Sequence, residues 1–455
     1  MLEYEATDRE DVDVLVTGGT VVTMDGDRNV YQDGAVAMKG DEIVYVGTAE
    51  EARTLYDAKE DVDASGKIVM PGLVNAHTHA AMSVYRGMAD DLPLMEWLQD
   101  YIFPAEAKNT NADMVYHGTK LACAEMIKGG TTTFCDMYYF EDQAAKATKE
   151  AGMRAVLGET VLDFPSPDSV DPAGGIKYAE TFIKDWKGDD LITPAVAPHA
   201  PYTVGPQSLK AAKDLADKEG VPYIIHLSET QSEVEQIKEK HGKTPTEYLN
   251  SLGILGDNVV AAHCVWLTEN EKDLLVNTGT GIAHNPESNM KLASGVAPIP
   301  DLMDKGGYVG LGTDGAASNN DLDMFGEMDT TAKLHKIHSM DCTAMPAQRV
   351  VEMATIGGAQ ALHMEDKIGS LETGKKADLI VIGTDSANMT PMYNVYSHIV
   401  YAADHNDVET SIINGQVVMR DREILTMNED AVKAKGREIA EHVAESLREE
   451  PDGSS

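Results

Sequence analysis

The sequence predicts an α/β protein in which a (β/α)8 TIM barrel carries a small β-sandwich domain built from both chain ends. The first observation is a series of eight short apolar segments that alternate with longer helical segments between residues 67 and 369. Eight strand–helix units over this length are typical of such a barrel. The second observation is that both chain ends read as short strands separated by Gly and Asp turns. A doubly wound open sheet also fits the alternation, but no G-x-G-x-x-G follows the first strand.

The predicted elements divide the chain into four parts. Residues 1–66 and 370–425 form the N-terminal and C-terminal parts of the sandwich, on either side of the barrel at 67–369. Residues 426–455 form an acidic helical tail. The eight predicted barrel segments are, in order, KIVMPGLVNAH, TTTFCDMYY, RAVLGETVLD, LITPAVAPH, PYIIHLSE, NVVAAHCVW, TGIAHNPESN and YVGLGTDGAAS.

The charge balance limits the partners of this protein. Asp and Glu number 76 against 37 Lys and Arg, which gives a net charge of −39. Such a field repels phosphates, so we expect neither a nucleic acid nor an anionic membrane as a partner. The acidic residues are spread along the whole chain, which favours a halophilic surface that a salt-rich cytoplasm screens.

The sequence also indicates a cytoplasmic location. No apolar run approaches the roughly 18 residues of a membrane span, and the acidic N-terminus lacks the regions of a signal peptide. The four cysteines form no CxxC pair, so we expect all of them to be buried small residues in a reducing compartment. They are Cys123, Cys135, Cys264 and Cys342.

Polar residues with metal-binding chemistry stand at the ends of most predicted barrel strands. Functional side chains of a barrel project from these ends, so the residues should converge on one face. A single strand-end His is usually a satisfied interior residue, but a set of this size favours a functional site. The set comprises His77, His79, His199, His226, His263, His284 and Asp314.

Four of these residues form a candidate metal site. His77 and His79 point to the same side of a strand because they are two residues apart. Together with His226 and Asp314 they offer three imidazoles and a carboxylate, which suits Zn²⁺, with Fe²⁺ or Mn²⁺ as alternatives. The fourth segment, LITPAVAPH, ends without a lysine to bridge two ions, so we expect one divalent ion per chain. Such an ion makes a hydroxide nucleophile available near neutral pH.

A carboxylate follows the candidate ligand His226 after three residues. Glu229 is a candidate proton carrier beside a metal site. The alternative is an ordinary acidic residue that stabilises the start of a helix.

Five segments of the chain resemble the metal-dependent amidohydrolase superfamily. They are PGLVNAHTH, IIHLSET, VVAAHC, HNPESNMKLASGVAPI and GTDGAASNN. Within the superfamily the chain resembles the deaminases of 5-methylthioadenosine, S-adenosylhomocysteine and 5′-deoxyadenosine, from about residue 12 to about residue 425.

The resemblance implies a role for each candidate residue. Glu229 would protonate N1 of the adenine, His263 would orient the attacking hydroxide, and Asp314 would accept its proton. Glu106 and His199 would contact the ribose and the purine. Trp97 would pack against the base from a lid helix, although an ordinary core position explains this residue nearly as well.

The implied reaction is the hydrolytic deamination of 5′-modified adenosines to inosine analogues and ammonia. The resemblance also implies salvage of S-adenosylmethionine by-products and a homo-oligomer, a dimer or a tetramer. The main alternative is a deaminase or chlorohydrolase of another heterocycle, such as guanine or a triazine. A cyclic-amide hydrolase and a non-catalytic scaffold are further alternatives, which the missing lysine and the complete ligand set disfavour.

The scarcity of arginines in the barrel predicts which 5′ group the substrate carries. Between Arg86 and Arg349 the chain has one arginine, Arg154, at the start of the third strand, where it should point away from the site. An amino-acid carboxylate on the substrate would lack its natural partner. We therefore expect a preference for small neutral 5′ groups.

Overall fold

The computed structural model describes residues 9–448, which contain two β-sheets. The strands are β1 (Glu10–Val22), β2 (Val30–Lys39), β3 (Glu42–Thr48), β4 (Tyr56–Asp63), β5 (Ile68–Pro71), β6 (Leu73–Thr78), β7 (Thr131–Tyr138), β8 (Arg154–Val161), β9 (Ile192–Pro198), β10 (Tyr223–Leu227), β11 (Val259–His263), β12 (Gly281–His284), β13 (Val309–Leu311), β14 (Leu379–Ile382), β15 (Val408–Ile413), β16 (Gln416–Arg420) and β17 (Glu423–Ile424).

Helices cover the barrel and connect its strands. The α-helices are α1 (Ala49–Leu55), α2 (Leu94–Glu96), α3 (Phe103–Asn109), α4 (Ala112–Lys128), α5 (Glu141–Ala151), α6 (Pro172–Trp186), α7 (Pro206–Glu219), α8 (Gln231–His241), α9 (Pro245–Ser251), α10 (Glu269–Thr278), α11 (Pro286–Lys291), α12 (Ile299–Asp304), α13 (Met324–Ser339), α14 (Ala347–Met353), α15 (Ile356–Ala361), α16 (Val395–Tyr401) and α17 (Glu429–Arg448). A 3₁₀ segment covers Ala80–Tyr85, and a π-helical segment covers Trp97–Ile102 between α2 and α3.

The larger sheet is the predicted barrel. Its eight strands, β6 to β13, are parallel and neighbour one another in chain order. The last strand lies beside the first, where the Asp314 N–H donates to the His77 carbonyl at 3.0 Å. The predicted (β/α)8 fold is therefore confirmed.

The barrel strands are apolar because helices and the barrel interior bury both of their faces. All eight residues of β7 and of β8 are buried. Small and branched side chains from successive strands meet in one interior cluster, and each larger one contributes about 1.5–3 kcal/mol on burial. The cluster includes Val74, Cys135, Val156, Ala195, Ile224, Val260 and Ala283.

Both chain ends contribute strands to the smaller sheet, as the sequence predicts, and in place of the two sheets of a sandwich the strands form one nine-stranded sheet. Side chains from the two ends share one core, for example Val16 and Val36 with Leu379 and Ile412. Strand β5 lies within the predicted barrel region but pairs with β1 and β14 in this sheet. The barrel itself begins at β6, and the division into domains stays a prediction.

A buried ion pair joins the barrel to the small domain at the end opposite the strand carboxyl ends. The Arg154 guanidinium donates to Asp378 at 2.7 Å and to Asn414 at 2.8 Å. The prediction that Arg154 points away from the site is confirmed. One prediction about cysteines is wrong: three are buried, but Cys342 is exposed because it lies in the surface turn that follows α13.

The C-terminal helix α17 packs against the barrel beside α3 and α4. Near its end, the Ser446 hydroxyl donates to Asn109 Oδ1 at 2.7 Å. The predicted tail is therefore a packed helix over Glu429–Arg448, while 1–8 and 449–455 lie outside the described residues. Between residues 9 and 448, no helix combines the length and apolarity needed to cross a bilayer.

Candidate active site

A cleft lined by polar and aromatic side chains opens at the carboxyl ends of the barrel strands. Most of the residues singled out in the sequence lie in its wall, while His77 is buried beneath it and His284 is not part of the lining. The predicted residues that line the cleft are His79, Trp97, Glu106, His199, His226, Glu229, His263 and Asp314.

The four candidate metal ligands converge at the base of the cleft. His77, His79, His226 and Asp314 each offer one ligand atom, and these atoms lie within 4.8 Å of one another. Asp314 Oδ1 is 3.4 Å from His77 Nε2 and 3.2 Å from His79 Nε2. His226 Nε2 is 3.3 Å from His79 Nε2.

The tautomers of these histidines suit a cation between them. The Nδ1 atoms of His79 and His226 lie 2.7 Å from the Met137 carbonyl and 2.8 Å from the His199 carbonyl. A carbonyl only accepts, so each Nδ1 carries the proton and each Nε2 presents a lone pair. Two lone pairs at 3.3 Å repel unless a positive charge lies between them. Both ring nitrogens of His77 are buried without a hydrogen-bond partner, so the donor set fits a divalent ion.

The two oxygens of the Asp314 carboxylate face different partners, one the imidazoles and the other two serines. Its Oδ1 faces the imidazoles, while Oδ2 accepts the Ser288 hydroxyl at 2.7 Å and the Ser318 hydroxyl at 2.9 Å. Burial opposes ionisation, yet the neighbouring imidazoles of His77 and His79 hold the pKa of Asp314 well below its usual value. The group therefore remains an anion suited to a cation site.

Backbone conformation helps to aim the side chains into the cleft. Ser228, His263 and Asp314 have φ values of 52°, 75° and 60°, in the left-handed region that non-glycine residues rarely adopt. All three follow or end barrel strands. Such strained conformations cluster at functional sites because the surrounding structure holds them in place.

Glu229 and His263 form the wall next to the ligand cluster. Glu229 Oε2 is 3.7 Å from His263 Nε2, and its Oε1 accepts the Ser294 hydroxyl at 3.1 Å. The His263 Nδ1–H donates to Asn289 Oδ1 at 2.9 Å, which leaves Nε2 facing Glu229. Burial raises the pKa of Glu229, so this carboxyl can hold a proton at a higher pH than usual.

The side chain of Glu229 does not serve as a helix-start carboxylate. In this segment Glu233 takes that position, because its two oxygens accept the N–H groups of Ser228 at 3.0 Å and Glu229 at 2.8 Å. Glu233 thereby fixes the backbone from which the Glu229 side chain extends.

A second polar group lies on the lid side of the cleft. Glu106 of α3 is buried, and burial raises its pKa to about 7. The Tyr138 hydroxyl donates to Glu106 Oε1 at 2.7 Å, and the Tyr139 hydroxyl lies 3.5 Å from Oε2. The ring of His199 packs against Phe103 in a T-shaped arrangement, and its Nδ1 lies 2.9 Å from the Thr203 hydroxyl.

Trp97 lines the cleft from the π-helical segment. Its indole N–H donates to the Ala89 carbonyl at 3.1 Å, so only the apolar face of the ring faces the cleft. The prediction of a packing surface is compatible with this geometry.

His284 ends a barrel strand but contacts another histidine outside the candidate metal site. Its Nε2 lies 3.2 Å from His335 Nε2 of α13. The ring points toward the outer helix, so the expectation that it faces the site with the other strand-end residues is wrong.

Several polar residues around the site were not predicted. Glu233, Asn289 and Ser294 hold the catalytic candidates by hydrogen bonds, and Tyr138 and Tyr139 hold Glu106. The tyrosines end the predicted strand TTTFCDMYY, a position at which polar groups face the cleft. That signal could have identified them.

Comparison with known proteins gives consistent matches over nearly the whole chain. Residues 68–418 match the model of the Amidohydrolase family. The 5-methylthioadenosine/S-adenosylhomocysteine deaminase of Syntrophobacter fumaroxidans is 54% identical over 94% of this chain and 98% of its own length. The 5′-deoxyadenosine deaminase of Methanococcoides burtonii is 44% identical over 94% and 97%.

A solved structure resembles the whole fold. It is an adenosine deaminase from Xanthomonas campestris with bound zinc, with a TM-score of 0.94 and 39% sequence identity. The similarity covers 96% of this chain and 100% of that chain.

Proposed function

The chain belongs to the amidohydrolase family, and we propose that it hydrolytically deaminates the adenine ring of 5′-modified adenosines. The products are the inosine analogue and ammonia. One observation carries the proposal: a buried carboxyl, Glu229, stands beside His263 on the wall above a four-ligand cluster. The relatives with 54% and 44% identity support an adenosine substrate over guanine or a triazine.

The cluster residues would hold one divalent ion. His77, His79, His226 and Asp314 offer nitrogen and oxygen donors that suit Zn²⁺, with Fe²⁺ and Mn²⁺ as alternatives. When bound, an ion of this kind supplies a nucleophilic hydroxide near neutral pH.

The surrounding residues move the protons. Attack at C6 pushes negative charge into the ring, and Glu229 neutralises it by donating its proton to N1. His263 orients the developing tetrahedral carbon through Nε2, because its Nδ1–H is committed to Asn289. Asp314 accepts one proton of the attacking water and passes it to the departing amine, while the remaining hydroxyl proton restores the acid form of Glu229.

The cleft also favours a neutral 5′ group. Neither lysine nor arginine is among the described residues that line it, and Arg154 is engaged with Asp378 at the other end of the barrel. The loop after β8 carries Asp163 and Asp168, which would repel an incoming carboxylate. We therefore infer a preference for 5′-deoxyadenosine, 5′-methylthioadenosine or adenosine over S-adenosylhomocysteine.

Steady-state kinetics on these four nucleosides tests both parts of the proposal. We expect deamination of all three small substrates, with a higher kcat/KM than for S-adenosylhomocysteine. If S-adenosylhomocysteine is the best substrate, the inference about the 5′ group is wrong. Activity on guanine or a chlorotriazine without activity on any adenosine would contradict the reaction itself.

We also propose a setting for the enzyme. It would work in the cytoplasm on nucleosides left by S-adenosylmethionine chemistry, as a homo-oligomer, a dimer or a tetramer, without nucleic-acid or membrane partners. The net charge of −39 supports a salt-rich interior and argues against phosphate-bearing partners.

A further inference from the structure

A chain of hydroxyl groups ends at Glu106. The Tyr85 hydroxyl is 2.9 Å from the Thr110 hydroxyl, which is 3.4 Å from the Tyr138 hydroxyl. Tyr138 lies 2.7 Å from Glu106 Oε1. Each hydroxyl has one proton to donate, so the bonds run in one direction, from Tyr85 to the carboxylate. Tyr139 adds a second donor at 3.5 Å from Oε2.

This arrangement leaves about half of the hydrogen-bond acceptor positions of the Glu106 carboxylate unoccupied. A carboxylate has about four acceptor positions, and the two tyrosines occupy one on each oxygen. Glu106 lines the cleft, and among residues 9–448 its nearest polar partners are the tyrosines and His79, with no Lys or Arg beside it. The remaining positions, one on each oxygen, match a ligand with two adjacent hydroxyl donors, since buried acceptors are normally satisfied.

We propose that Tyr138 is a positioning residue, assisted by Tyr139, which holds Glu106 so that both carboxylate oxygens accept the vicinal hydroxyls of the substrate's ribose. The inference rests on the proposed function and on the ribose contact expected of Glu106, and it adds the positioning role of Tyr138. Tyr138 is in β7 and Glu106 is in α3, so their hydrogen bond fixes a lid helix against the rigid barrel. Without it, the carboxylate can turn away from the diol.

The test compares adenosine with 2′,3′-dideoxyadenosine, which keeps the base and the 5′-hydroxyl but lacks the diol. We expect Tyr138→Phe to lower kcat/KM for adenosine about tenfold, mainly through KM, because a hydrogen bond to a charged group is lost. For 2′,3′-dideoxyadenosine the change should stay within about twofold. Tyr139→Phe should show a smaller loss, again confined to adenosine, since its bond is longer.

Tyr223→Phe is the matched control. Its hydroxyl is buried, 3.5 Å from the Leu209 carbonyl, at the amino end of β10, and Tyr223 is not among the residues that line the cleft. This variant should treat both substrates as the wild type does. If Tyr138→Phe does not fold, Tyr139→Phe carries the test with the same two substrates.

The outcomes separate this inference from the proposed function. An equal loss on both substrates, or no loss on adenosine, would overturn the role of Tyr138. Equal wild-type kcat/KM values for the two substrates would overturn it as well, while leaving the deaminase assignment intact. A wild type that deaminates neither adenosine nor any 5′-modified adenosine would overturn the proposed function and this inference with it.

Discussion

Two groups of buried histidines lie near the same barrel face but have different chemistry. The Nε2 atoms of His79 and His226 are 3.3 Å apart, and those of His284 and His335 are 3.2 Å apart. In the first group each Nδ1–H is committed to a carbonyl, so two lone pairs meet beside Asp314. In the second group one ring can donate its Nε2–H to the other. The position of the second nitrogen's proton therefore distinguishes a ligand from a structural histidine.

Removing one histidine from each group should give the largest contrast. We predict that His226→Ala loses the metal and all measurable activity, because the variant lacks an imidazole whose Nε2 lone pair faces the ion site. His335→Gln, the control change in the other group, should keep about one ion per chain and the wild-type KM. Elemental analysis and kinetics of both variants check this. Metal loss in His335→Gln would contradict the distinction between the two groups.

A change at Glu229 separates catalysis from metal binding, because this residue is not one of the four candidate ligands. We predict that Glu229→Gln keeps the fold and the ion but lowers kcat by on the order of 10² or more, as expected for the loss of a general acid. Metal content, a melting curve and kcat measure the three quantities. Near-normal turnover would show that the carboxyl carries no proton in the reaction.

The pH dependence of KM reports on the lid side of the cleft. Burial raises the pKa of Glu106 to about 7, so the side chain is an anion above that pH and gains a proton below it. The protonated form loses acceptor capacity, so KM for adenosine should rise roughly tenfold between pH 8 and pH 6. KM for 2′,3′-dideoxyadenosine should change much less. The same pH dependence of KM for both substrates would contradict the inference that Glu106 binds the sugar.

Salt should affect the exposed surface more than either buried group. With a net charge of −39, the acidic side chains repel one another most strongly at low ionic strength. Salt screens this repulsion, because the Debye length falls from about 10 Å at 0.1 M to about 3 Å at 1 M. We predict that Tm rises by several degrees over this range, while the metal content stays constant. A flat Tm would show that the acidic surface has another cause.

The sequence predicts the barrel and the ligand cluster for a clear physical reason. Strand alternation and the carboxyl ends of parallel strands place His77 and His79 beside His226 and Asp314 without further information. The same reasoning fails for His284. Its position at a strand end is readable, but its orientation depends on His335, a residue of an outer helix 51 positions later.

The lid side of the cleft was less predictable. Glu106 follows the π-helical segment Trp97–Ile102, whose irregular winding leaves no simple period in the sequence. Its partner Tyr138 is 32 residues away and on another element. The exposed Cys342 illustrates the same limit, because a local turn rather than composition decides whether its side chain is covered.

The most direct test of the central claim is a metal titration of the metal-free protein, followed by ammonia release from 5′-deoxyadenosine. With one such cluster among residues 9–448, deamination should rise linearly with added Zn²⁺ and stop rising at about one equivalent, with 5′-deoxyinosine and ammonia formed in equal amounts. A break at two equivalents per chain would contradict a single-ion site. Full metal loading with no release of ammonia from any adenosine would contradict the deaminase assignment itself.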